Sequence, residues 1–305
     1  MTLMSTVAII PHYFEKKANM AYMATGLGAG IGLSSFPYIY TSFRSSLSYR
    51  DTMLCMLPIA ACSASAPLAF KAQLPNQQVK SFTRFIKGYI RPLKQSISIF
   101  YMMNTYFWNV GQVGVAILLF SYINDLHGIQ TATNVQTIFG LLQAIGGITF
   151  TLLLIKVKVN HFLLHIFCNA TNGIACIAAA IFTQDYVQYI CAAVIGFVAA
   201  VTIGNMGCVC SHLYAKSDVE YMFGYQEAVG GIAGIIGPFT TSLLQSKLGL
   251  SSGFYFMGAH LLVGAAVLVL LMLFKRSVIS PFAEDSESNT DDETSEQTKT
   301  ETTPT

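Results

Sequence analysis

Tyr101, Asn104, Thr105, Trp108 and Gln112 recur at three- and four-residue steps inside a long apolar stretch, so on a helix they share one face. Gln136, Gly140, Gln143 and Gly147 repeat the pattern in the next apolar stretch. Polar side chains facing acyl chains are unfavourable, so both stripes should face other helices or a water-filled cavity. Two chemistries fit. The stripes hold helices together by hydrogen bonds, or they line a substrate path on which Trp108 and Tyr101 meet an apolar or aromatic solute. Asn169, Asn172, Asn205, Glu227 and His260 are further candidates. An ionised group at the bilayer centre costs roughly 2.5–3.5 kcal/mol. None of the ionisable groups falls at mid-span, so Glu227, His161 and His165 are expected to snorkel to the interface.

Enzyme chemistry lacks its parts. The sequence has no Gly-rich phosphate loop ending in Gly-Lys-Ser/Thr, no Ser/His/Asp set and no paired carboxylates, so neither catalysis nor an ATP-driven pump is expected, and no cofactor. All seven cysteines lie in apolar tracts and none forms a CxxC pair with nearby His, which favours small packing residues over a metal site.

The elements that carry these residues are membrane spans. Only 10% of the residues are charged and 53% are hydrophobic, against about a quarter charged in a soluble domain. The fold class expected is all-α, a polytopic membrane protein with about eight full spans, at roughly 18–40, 52–70, 97–123, 134–155, 160–182, 187–211, 222–244 and 253–274. Residues 1–11 are apolar but shorter than the roughly 20 a crossing helix needs, and read as the end of a further span. No cleaved signal peptide is recognisable. The tail from Ser277 is rich in Ser, Thr, Glu and Asp and is expected to be disordered.

Between the second and third spans, Lys71, Lys80, Arg84, Lys87, Arg91 and Lys94 occur without one acidic residue. Such a loop belongs on the cytoplasmic side. Threading the spans from it places fourteen Lys and Arg inside and three (Arg44, Arg50, Lys247) outside. The basic excess therefore reports orientation, and no nucleic-acid partner is expected. Four segments follow: 1–70, a remnant of an N-terminal bundle; 71–95, the cytoplasmic central loop; 96–276, a C-terminal six-helix bundle; 277–305, an acidic cytoplasmic tail. Six spans after a long basic loop are the plan of the second half of a two-bundle carrier. Gly26, Gly30 and Pro37 in the first span, and Gly234, Gly237 and Pro238 in the seventh, serve either close helix packing or bending between inward- and outward-open states.

Pro11-His12-Tyr13-Phe14-Glu15-Lys16-Lys17-Ala18-Asn19-Met20-Ala21 and the run Gly26-Leu27-Gly28-Ala29-Gly30 resemble the monocarboxylate transporter family of the major facilitator superfamily. Tyr13, Phe14, Lys16 and Lys17 carry the motif, and Gly237-Pro238 looks like the Gly-Pro of that family's eleventh helix. On this map the chain starts in helix four and holds helices five to twelve, an N-terminally truncated carrier; a site between two bundles needs both, so one expectation is that the chain is inactive alone. The resemblance implies alternating-access transport of a small organic solute such as a monocarboxylate, often with a proton, in the plasma membrane. It also implies a single-pass immunoglobulin-type glycoprotein as an ancillary partner. Proton-coupled members carry an Asp and an Arg one turn apart in the eighth helix, where Gln143 and Gly147 stand here. That departure favours a more neutral or aromatic solute, or facilitated diffusion. The alternative is a non-transporting isoform that assembles with, or regulates, a full-length carrier.

Overall fold

The computed structural model describes residues 18–65, 89–214 and 216–274. The motif residues Tyr13, Phe14, Lys16 and Lys17, most of the central loop and the acidic tail lie outside the described residues, as do the side chains of Gly26 and Pro37.

The long elements are α1 (Ala18–Ser46), α2 (Tyr49–Ser65), α3 (Ser96–His127), α4 (Ile129–Lys156), α5 (His161–Ile181), α6 (Asp185–Leu213), α7 (Lys216–Leu248) and α8 (Ser252–Phe274). No strand occurs among the described residues. Helices α3 to α8 supply the six stretches that are long and apolar enough to cross a membrane. At about 1.5 Å per residue, the 32 residues of α3 exceed the roughly 30 Å hydrocarbon core. The 17 residues of α2 fall a little short of it.

Turn chemistry divides the apolar runs. Gly128, with φ of 84°, separates α3 from α4, and Gly249, with φ of 98°, separates α7 from α8. A side chain would be strained at either point. Asn160 caps α5, its side-chain oxygen accepting from the backbone N–H groups of Phe162 and Leu163 at 3.0 and 3.1 Å.

Helices α3 to α8 form one bundle. Helix α3 packs on α4, α7 and α8; α5 packs between α6 and α8; α4 lies along α6. Helix α1 lies across α4 and α6, and α2 packs on α1. The α1–α4 contact is backbone on backbone. A Cβ at Gly30 would strike the main chain of Ala144, and one at Gly140 the main chain of Leu33 and Ser34. Between helices in lipid, packing this close supplies attraction that hydrophobic burial does not. The outer faces carry Ile117, Phe167, Ile174, Ile235, Phe239 and Leu273, each more than half exposed. Water would penalise such faces, whereas acyl chains accept them.

Two large apolar clusters fill the interior, beside a small one of Cys168, Val198 and Val201. One gathers Trp108, Tyr122, Phe139, Phe254, Met257 and Leu261. The other joins Tyr22, Tyr101, Phe162, Tyr214, Met222 and Phe223 where α3, α5 and α7 begin and α6 ends.

Candidate functional site

A cavity of about 430 Å³ opens between α1, α3, α6 and α7, within the range of small-molecule sites. Helix α3 gives it Trp108 and Asn109, α1 gives Tyr22, α6 gives Met206, and α7 gives Phe223, Gln226 and Glu227. The space exists because α7 presents Gly230, Gly231 and Gly234 toward it. A Cβ on Gly231 would meet nothing within 4 Å, and one on Gly234 only a Val113 methyl at 3.8 Å. Farther along, α7 closes on α3, where a Cβ on Gly237 would sit 3.0 Å from the Val110 main chain. Pro238 follows inside the helix and cannot bond back to the carbonyl of Gly234. Helix α7 is thus pinned to α3 at one point and freed of a backbone hydrogen bond beside the cavity.

Most of the polar stripe on α3 is turned elsewhere. Asn104 accepts from Asn169 Nδ2 at 3.3 Å and lies 3.4 Å from His165 Nε2. Asn172 Nδ2 donates to Gln112 Oε1 at 3.1 Å. These five side chains are buried and stitch α3 to α5. Tyr101 donates its hydroxyl proton to Gln226 Oε1 at 2.5 Å, tying α3 to the cavity wall on α7. Asn205 donates from Nδ2 to the His161 carbonyl at 2.6 Å, and its Oδ1 lies 2.7 Å from His161 Nδ1. Asn19 on α1 reaches the other ring nitrogen at 3.2 Å. His161 and His165, expected to snorkel, are therefore buried members of interhelical networks. Both ring nitrogens of His161 have partners, whereas His165 Nδ1 is buried with none among the described residues.

Trp108 alone of the α3 stripe faces the cavity, and its Nε1 has no hydrogen-bond partner among the described residues. Gln136 lines a different, outer cavity of about 700 Å³ between α1, α3 and α4, together with Phe36, Tyr40 and Arg44. Gln143 is buried where α4 meets α1, with Oε1 unpaired among the described residues. Glu227 is exposed and lines the inner cavity.

Outside the spans, the short helical turn at 89–93 is clamped to α7. Arg91 pairs with Asp218 at 3.1 Å, and Tyr225 donates to the Tyr89 carbonyl at 3.0 Å. Tyr214 donates to Ser98 Oγ at 3.0 Å, and burial pushes its phenol well above the usual range, so it stays neutral.

Reasoning from sequence missed Asn109, Tyr22, Phe223 and Gln226 as wall residues. The signal was available on α7, where Phe223, Glu227, Gly230, Gly231 and Gly234 follow helical spacing. Small residues beside a carboxylate on one face mark a space as well as a contact.

Comparison with curated proteins finds no match. A sequence profile of the Major Facilitator Superfamily matches residues 97–301, which spans more than half of the chain and all six bundle helices. With that match, the helical bundle and the cavity at its flank, the chain belongs to the Major Facilitator Superfamily and is a multi-pass membrane transporter.

Proposed function

We propose that the chain works as a secondary carrier, moving a small organic solute by alternating access through the cavity between α1, α3, α6 and α7. The observation that carries this reading is the cavity itself: aromatic and polar residues from four helices converge on a space that glycines on α7 keep open. The pinning of α7 at Gly237 and Pro238 supports a role for these residues in rocking. The resemblance at Tyr13–Lys17 supports a reading as a relative of the monocarboxylate transporters, in the plasma membrane, with the central loop and tail cytoplasmic and an ancillary immunoglobulin-type glycoprotein as partner. A carboxylate solute would need a fixed cation. Among the described residues, the outer cavity offers Arg44 and the inner cavity offers none.

Counterflow in proteoliposomes holding the full chain tests this. Lactate, pyruvate, choline and glucose are each loaded inside, and uptake of the labelled solute is followed. Saturable counterflow of any of them is the expected result. Absence of counterflow for all, together with co-purification of a full-length carrier, would favour a non-transporting, regulatory role.

A further inference from the structure

We infer that the inner cavity takes an organic cation, a protonated or quaternary amine, with the Glu227 carboxylate as its counter-ion and the rings of Trp108, Tyr22 and Phe223 as its walls. This rests on reading the cavity as the transport site and adds the sign of the solute's charge. Three observations point the same way. Glu227 is the one charged side chain among the described residues lining the space, which holds no Lys, Arg or His from them. No described residue makes a hydrogen bond or ion pair with that carboxylate. A carboxylate on a cavity wall favours a mobile cation beside it and repels an anion. Three of the other lining residues, Tyr22, Trp108 and Phe223, are aromatic. Tyr22 and Phe223 have ring centroids 6.1 Å apart, and Trp108 lines the same space from α3. Aromatic faces attract cations through their quadrupole, most strongly where water is thinned out, and they also accept the apolar groups of an alkylammonium. The glycines at 230, 231 and 234 leave room for that body without adding a polar competitor.

Trp108 is the chain's only tryptophan, so its emission reports on this cavity alone. The purified full chain is titrated with choline chloride, replacing sodium chloride at constant ionic strength, and separately with sodium lactate. Choline is expected to change the emission saturably and to raise the melting temperature, while lactate does neither. Glu227→Gln should weaken the apparent choline affinity by roughly tenfold or more, equivalent to about 1.4 kcal/mol, and Glu227→Asp by less. Melting without ligand checks that both variants are folded. Equal choline affinity in Glu227→Gln overturns the inference. So does a choline titration with no response, or a lactate response that survives Glu227→Gln. The carrier reading fails separately, through absent counterflow for every solute.

Discussion

Helix α3 presents polar groups to two neighbours and uses them in opposite ways. Toward α5, Asn104 and Gln112 meet Asn169, Asn172 and His165, and the amides pair with one another across the seam. Toward α7, Trp108 and Asn109 meet glycines and a carboxylate across a gap of about 430 Å³. The first face joins side chain to side chain across two helices; the second sets Trp108 and Asn109 on the wall of an open space. The contrast shows that a polar stripe within a span does not by itself mark a path. What marks it is polar and aromatic groups set opposite residues too small to fill the space.

The comparison can be broken by substitutions on either side. The largest effect on stability is expected away from both faces, at the close α1–α4 contact. Gly140→Leu would drive a side chain into the main chain of Leu33 and Ser34 and should destabilise the detergent-solubilised protein by about 3 kcal/mol in thermal unfolding. Asn172→Leu orphans Gln112 Oε1 in the α5 seam; unfolding should show a loss of about 1 kcal/mol, with solute affinity unchanged. Asp218→Asn removes the Arg91 ion pair, whose arginine side chain is 63% exposed, and denaturation should register less than about 1 kcal/mol. Gly231→Leu fills open space; its effect on stability should stay within about 0.5 kcal/mol, although it occupies the cavity. A large loss of stability in Gly231→Leu, or none in Asn172→Leu, would erase the distinction between seam and cavity.

Much of the bundle was legible beforehand because its signals are local. Apolar runs long enough to span, broken by Gly128 and Gly249, gave helix positions that differ from the structure by a few residues at most ends of α3 to α8. The α3 stripe was legible as buried. Its division among neighbours was not, because residues 101, 104, 108 and 112 span a face wide enough to touch α5, α7 and α8 together, and helix order in space leaves no local trace. Depth counted from the start of an apolar run says how far Glu227 lies from one interface, not that a cavity reaches it. Gly234 was read as packing or bending, yet the space beside it depends on the helix opposite, which only the assembled bundle supplies.

The most direct test places Gly231→Leu and Asn172→Leu side by side in proteoliposomes, measuring initial counterflow of whichever solute the wild-type chain carries. The cavity account predicts that Gly231→Leu abolishes saturable counterflow while melting like the wild type, and that Asn172→Leu melts lower yet retains its KM. Wild-type counterflow in Gly231→Leu, with transport lost in Asn172→Leu, would move the solute path to the α3–α5 seam and contradict it.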